Sequence, residues 1–246
     1  MKHRFGYFYI AVCVAGLSVP LAGHTRDLYE DARMAMVKEI EADVRMTSLA
    51  LDKEALDPRV MDAMASVPRH KLVPGKLLDV AYENRPLPIG HGQTISQPYI
   101  VAIMTDLLNI TPASRVLEVG TGSGYQAAIL AELVEQVYTI EIIEPLGKLA
   151  QDNLKKLGYD NIEIRIGDGY HGWEEHAPFD AIVVTAAASH IPPPLIGQLK
   201  AGGRMIIPVG SRFMVQQLVL VAKDTEGNVT TRQILPVRFV PLTGSH

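Results

Sequence analysis

The segment Val116 to Tyr125, VLEVGTGSGY, constrains the fold of this chain more than any other. A short apolar strand runs into three closely spaced glycines, and an apolar helical run starts at Tyr125. Glycines at 120, 122 and 124 let the backbone turn tightly and let a ligand lie against it with no Cβ in the way. The flanking sequence continues the same rhythm. Strand signals fall over 115–119, 136–141, 162–166, 180–185 and 204–208, with helical signals over 125–133, 145–157 and 195–199 between them. This alternation predicts an α/β fold with a doubly wound, mostly parallel sheet. Residues 215–222 and 229–235 flank a polar turn at 224–228 and read as an antiparallel C-terminal hairpin.

The region before the sheet reads as a helical extension. Residues 26–50 predict a charged amphipathic helix. Asp57-Pro58 supplies an N-cap and a proline at the first position of a second helix to about Val67. Prolines at 68, 74, 86 and 88 then punctuate a loop-rich connection with a short helix near 77–82. The expected division is a signal-like segment over 1–23, a helical and loop region over 24–91, and the sheet domain over 92–246, the last two forming one compact unit.

Residues 1–23 differ in kind from the rest. A basic head, Met1-Lys2-His3-Arg4, precedes an uncharged run from Phe5 to Gly23. This resembles a secretory signal with a break after Leu21-Ala22-Gly23, and it predicts a periplasmic or otherwise exported protein. Two alternatives stand beside it: an uncleaved anchor, the one route to a membrane partner, and a cytoplasmic protein in which the segment is not a signal. The single cysteine, Cys13, lies in this segment, so cleavage leaves no disulfide, no cysteine-ligated metal and no thiol nucleophile. The remainder carries 21 basic against 27 acidic residues, a net charge of −6, with no basic run. That disfavours a nucleic-acid partner.

The glycine turn departs from the dinucleotide fingerprint. In G-x-G-x-x-G the third glycine would fall at Tyr125; here it comes one residue early. Glu118, two residues before Gly120, would repel a pyrophosphate and suits a ligand carrying an ammonium or sulfonium. Glu141, 21 residues beyond Gly120, ends the next strand, where a carboxylate accepts ribose hydroxyls. Asp168 in RIGDG is placed to accept from an adenine amino group; the competing reading is a turn aspartate before Gly169. Adenosine with a cationic amino-acid tail describes S-adenosyl-L-methionine, so these features favour a methyltransferase over a dehydrogenase.

Several acceptors can then be struck out. Cytosine-carbon methylation needs a cysteine. Amino-group methylation of bases commonly uses an Asn/Asp-Pro-Pro-aromatic segment after the fourth strand, and VTAAASHIPPP at that place has neither the amide nor the aromatic. Metal-dependent oxygen methylation needs clustered ligands, and only His190 is there, so no metal is expected. The stretch IGHGQTISQPYIVAIM offers another acceptor site. Ser96 reads as the N-cap of a helix over 98–108. Capping alone would explain it, but a helix start also presents N–H groups and a positive dipole end to a carboxylate. A carboxylate is already ionised near neutral pH and needs alignment rather than a general base. Ser96, Thr94, Gly90 and Gly92 supply hydroxyls and backbone for that. A small carboxylic acid as substrate and a non-catalytic adenosine-binding module remain as competing readings.

SVPRHKLVP, AYENRPLPIGHGQTISQPYIVAIM, VLEVGTGSGYQAAILAEL, GDGYHGW, APFDAIVVTAA, GGRMIIPVG and VRFVPL follow one another in an order and spacing that resemble the protein-L-isoaspartate O-methyltransferase family, over about residues 55–243. The resemblance implies a Rossmann-like S-adenosylmethionine methyltransferase sheet and protein repair. Such enzymes methylate the free α-carboxylate of L-isoaspartyl residues, and also some D-aspartyl residues, in damaged proteins and peptides. The ester then closes to a succinimide that reopens partly as aspartate. It implies Ser96 as the catalytic-site hydroxyl and Glu118, Gly120, Gly122, Gly124, Glu141, Asp168 and Gly169 around the cofactor. Thr94, Ile95, Tyr99 and Thr243 match positions near cofactor or substrate. Asn84 stands where an aspartate is more usual, and Leu72 where a phenylalanine is common. The tail ends soon after VPLTG.

Overall fold

A computed structural model describes Met1, residues 27–211 and residues 215–244. The signal-like segment therefore lies outside the described residues. The N-terminal part contributes α1 (Glu30–Met46), a short α2 (Ser48–Leu51) and α3 (Pro58–Ser66). The long helix expected over 26–50 is thus interrupted at Thr47, whose hydroxyl donates back to the Asp43 carbonyl at 2.7 Å. Helix α3 starts as its sequence dictates, with Asp57 accepting the Arg59 N–H at 2.9 Å and proline at the first turn. The helix expected near 77–82 is a 3₁₀ segment over Gly75–Val80.

Two strands inside the connection read as loop form a small antiparallel hairpin, β1 (Leu87–Gly90) and β2 (Gln93–Ile95). His91 and Gly92 both have positive φ, 51° and 71°, as a tight two-residue turn between twisted strands requires. Three-residue pairing and a proline inside β1 hide this hairpin from periodicity. Helix α4 (Pro98–Leu107) follows it directly.

The remaining elements are β3 (Arg115–Val119), α5 (Tyr125–Ala131), β4 (Gln136–Glu141), α6 (Glu144–Lys156), β5 (Ile162–Ile166), β6 (Phe179–Val184), α7 (Pro193–Gln198), β7 (Leu199–Val209), β8 (Gln216–Lys223) and β9 (Val229–Val237). They build one seven-stranded sheet in the order β5-β4-β3-β6-β7-β8-β9. Strands β3 to β7 run parallel, and β8 and β9 are antiparallel to their neighbours. The Asp224 side chain fixes the β8–β9 turn by accepting from Glu226 N at 2.9 Å and Asn228 N at 2.8 Å.

Alternate strand residues feed two cores, as a sheet covered on both faces demands. Val116, Val137, Ala181, Val183 and Ile206 pack with residues of α1, α3, α4 and α5. Leu117, Val119, Ile182, Val184 and Met205 pack with Trp173 and Leu195 on the other face. The first core therefore joins residues 27–91 to the sheet, and the β1–β2 hairpin spans the 91/92 boundary. Strand order reverses between β3 and β6. Ligands of open α/β sheets bind outside the carboxyl ends of the strands at such a reversal.

Candidate active site

The carboxyl ends of β3 and β4, with the residues that follow β6, form the floor of a cavity. Of the residues singled out in the sequence, Thr94, Ile95, Ser96, Glu118, Gly120, Gly122, Glu141, Gly169 and Thr243 line it. Gly120 has φ +100°, and a Cβ there would stand 2.4 Å from Thr185 Oγ1. Only glycine satisfies both conditions. Glu141 spans the turn: its two carboxylate oxygens accept the N–H groups of Gly122 at 2.7 Å and Ile143 at 2.9 Å.

The glycine turn keeps its amides for itself. Gly120 N–H donates to the Ile140 carbonyl at 2.8 Å, Gly122 N–H to Glu141, and Gly124 N–H to the Thr121 carbonyl at 2.8 Å. A phosphate cradle needs such groups turned outward. What this wall offers instead is acceptors. Glu118 is fully buried; one oxygen takes the Thr139 hydroxyl at 2.5 Å and the other, Oε1, has no partner among the described residues. Burial pushes its carboxyl up to about 8, with the Thr139 hydrogen bond opposing and the Glu141 charge adding. Gln126 Oε1, on a second cavity residue, is also buried without a partner among the described residues. Two unmet acceptors beside a carboxylate-held turn fit a donor-rich cationic ligand such as the amino-acid part of S-adenosylmethionine, and do not fit a pyrophosphate.

Three expected residues stand off this wall. Gly124 turns toward helix α6, where an added Cβ would lie 2.9 Å from Leu154 Cδ1; its smallness serves helix packing. Asp168 accepts the Tyr170 N–H at 3.0 Å and caps the 3₁₀ turn Gly169–His171, the turn geometry that Asp-Gly favours. The Tyr99 hydroxyl points away to the Thr47 hydroxyl at 2.5 Å.

Ser96 lines the cavity, but the N-cap of α4 is Gln97, and its side chain makes no capping bond. The cap comes from outside the helix: Asn84 Oδ1 accepts the Tyr99 N–H at 3.0 Å, while Asn84 Nδ2 donates to Asp43 at 2.8 Å. That accounts for asparagine rather than aspartate at 84, since an ionised carboxylate accepts from the helix but cannot donate to Asp43. Ser96 is thereby released from capping, and its hydroxyl has no hydrogen-bond partner among the described residues.

Sequence reasoning missed Thr185 and Gln126. Thr185 Oγ1 lies 2.6 Å from the Gly120 carbonyl and 3.1 Å from that of Val119, placing its donor against the glycine turn. Its position just past β6, opposite β3, was the available signal. The C-terminal tail also builds the site. Val240 O accepts from Ala187 N, and Leu242 N–H donates to Ala187 O, both at 2.8 Å, so 240–243 form one side of the cavity. Among the described residues no group of three or more His, Cys, Asp or Glu could hold a metal ion, and no helix is long and apolar enough to cross a membrane.

Comparison with known proteins agrees with this geometry. The family model for protein-L-isoaspartate(D-aspartate) O-methyltransferase matches residues 44–246. Protein-L-isoaspartate O-methyltransferase 2 of Syntrophobacter fumaroxidans is 65% identical over 98% of this chain and 98% of its own length. Protein-L-isoaspartate O-methyltransferase 2 of Polaromonas sp. strain JS666 is 70% identical over 85% of this chain and 99% of its own. A solved protein-L-isoaspartate O-methyltransferase superposes with a TM-score of 0.74 at 26% identity, covering 86% of this chain and 66% of that one. A crystal structure of a Plasmodium falciparum protein of the same description, in complex with S-adenosyl-L-homocysteine, gives a TM-score of 0.68 at 27% identity, covering 84% and 97%. The chain belongs to the protein-L-isoaspartate O-methyltransferase family.

Proposed function

We propose that this protein transfers the methyl group of S-adenosyl-L-methionine to the free α-carboxylate of L-isoaspartyl residues, and to the side-chain carboxylate of D-aspartyl residues, in damaged proteins and peptides. One observation carries the reading: Thr94, Ser96, Thr185 and Val240 line both the glycine-floored cavity and a second, outer groove. A donor held in the first and a peptide held in the second meet at the Ser96 end of α4. The complex of the Plasmodium falciparum relative with S-adenosyl-L-homocysteine supports assigning the inner cavity to the cofactor.

The cofactor supplies an electrophilic methyl on a sulfonium. The protein's part is to hold and orient. Glu118 and Gln126 present acceptors to an ammonium, Glu141 presents its carboxylate to ribose hydroxyls, and Gly120 keeps the floor low. Gly169 closes the adenine side, where a Cβ would stand 2.4 Å from Val119 Cγ1. Ser96 donates its otherwise unused hydroxyl to the acceptor carboxylate, aligning it without removing its charge. A buried cation there would bind the carboxylate but weaken it as a nucleophile.

The test is transfer of labelled methyl to an isoaspartyl peptide and to its aspartyl twin. Labelling of the first alone is expected; equal labelling of both, or of neither, contradicts the reading. We also infer export, which rests on the basic head and uncharged run of residues 1–23. N-terminal sequencing of natively expressed protein should then begin at His24, whereas a retained Met1 would argue against cleavage.

A further inference from the structure

The outer groove carries one charged residue among those that line it, Arg238. Its side chain is exposed, and no carboxylate or other partner engages it among the described residues. The backbone beside it is held firmly. Gln216, itself buried, accepts the Phe239 N–H at 2.6 Å and donates to the Phe239 carbonyl at 3.1 Å. Ala187 in turn holds the Val240 carbonyl at 2.8 Å. A fixed backbone carries an exposed guanidinium at the groove, and its planar fork matches a carboxylate.

Arg238 does not line the inner cavity, whereas Val240 lines both. Two residues of extended chain separate them, about 7 Å at 3.3–3.4 Å per residue. A peptide lying extended in the groove would place a neighbouring side chain, rather than the reacting carboxylate, opposite the guanidinium.

We propose that Arg238 is a specificity-determining residue that selects isoaspartyl peptides with an acidic side chain within two positions of the damaged residue. This rests on the carboxyl-methylation reading above. The charge complementarity comes from a lone cation facing a substrate that is itself anionic, in a groove otherwise lined by neutral residues.

The experiment compares kcat/KM for isoaspartyl peptides in which Glu, Gln or Lys is scanned over the two positions on each side. The wild type should favour Glu over Gln by about fivefold at one position, as expected of a solvent-accessible ion pair. Raised salt should shrink that ratio. Arg238→Gln should bring it near one, and Arg238→Glu should turn the preference toward Lys. Ratios between peptides cancel any general loss of activity or folding in the variants. A flat ratio in the wild type, or a preference that survives both substitutions, overturns the assignment. If all peptides are methylated with a flat ratio, only the role of Arg238 fails; if none is methylated, the parent reading fails and takes this one with it.

Discussion

Helices α5 and α4 begin at the same cavity, but their first turns are secured in different ways. At α5 the support comes from the sheet itself: three glycines turn the chain within five residues, their amides bond inward, and Glu141 arrives from the adjacent strand to brace the loop. At α4 the support comes from outside the sheet. Asn84 caps the helix across 15 residues, Asp43 orients Asn84 across 41, and Val240 closes the groove from the far end of the chain. The α5 side is a rigid floor that must exclude side chains. The α4 side leaves a hydroxyl without a task in the fold, free to serve a substrate.

The contrast predicts where substitution hurts binding and where it hurts stability. The largest loss should come at the floor. Gly120→Ala combines a left-handed backbone, costing roughly 1–2 kcal/mol, with a Cβ contact on Thr185 Oγ1. Cofactor affinity measured by calorimetry should fall at least about 100-fold. Adding Thr185→Ala should relieve the contact and recover part of the loss. Affinity within threefold of wild type for Gly120→Ala would show that the turn is not the seat of the ligand.

A smaller effect, with a distinctive pH signature, is expected at Glu118. Its folded carboxyl titrates near 8 against an ordinary value of 4.5. Between these two values the unfolded chain releases the proton and the folded chain keeps it, so ligand-free stability falls as pH rises through this window and levels off above it. Glu118→Gln should remove that slope and stabilise the ligand-free protein at pH 8 by roughly a few kcal/mol, while weakening the cofactor about tenfold. Denaturant titrations from pH 5 to 9 measure the first, and calorimetry the second. Equal slopes in both proteins would count against a buried, cation-awaiting carboxylate.

The smallest effect belongs to the remote cap. Asn84→Ala should cost about 1 kcal/mol of stability, the usual worth of a helix cap. Asn84→Asp should cost more at neutral pH, because it sets a second carboxylate against Asp43, and Asp43→Asn should restore it. Lack of rescue in that pair would mean that the cap is not held through Asp43.

The same contrast explains what the sequence could disclose. The sheet rhythm, the glycine turn and Glu141 are fixed by neighbours or by strand spacing, so they were legible from residue order. The β1–β2 hairpin was not, because its strands are too short to show a period and one contains proline. Local preference points to Ser96 as the cap of α4, whereas Asn84 does that work from a distance that propensity cannot see. Asp168 accepts the Tyr170 N–H within its own turn, and the Tyr99 hydroxyl meets that of Thr47. Arg238 reaches the groove, with Gln216 holding the backbone beside it, only because the tail packs against β8 and the loop after β6, a long-range contact with no local signal.

Ser96→Ala tests the meeting of the two cavities most directly, through paired measurement of cofactor affinity by calorimetry and methyl transfer to an isoaspartyl peptide in a single turnover. The account predicts transfer slowed by about 100-fold, on the order of one lost transition-state hydrogen bond, with cofactor affinity changed less than threefold. Undiminished transfer, or a loss of affinity that accounts for the whole defect, would contradict it.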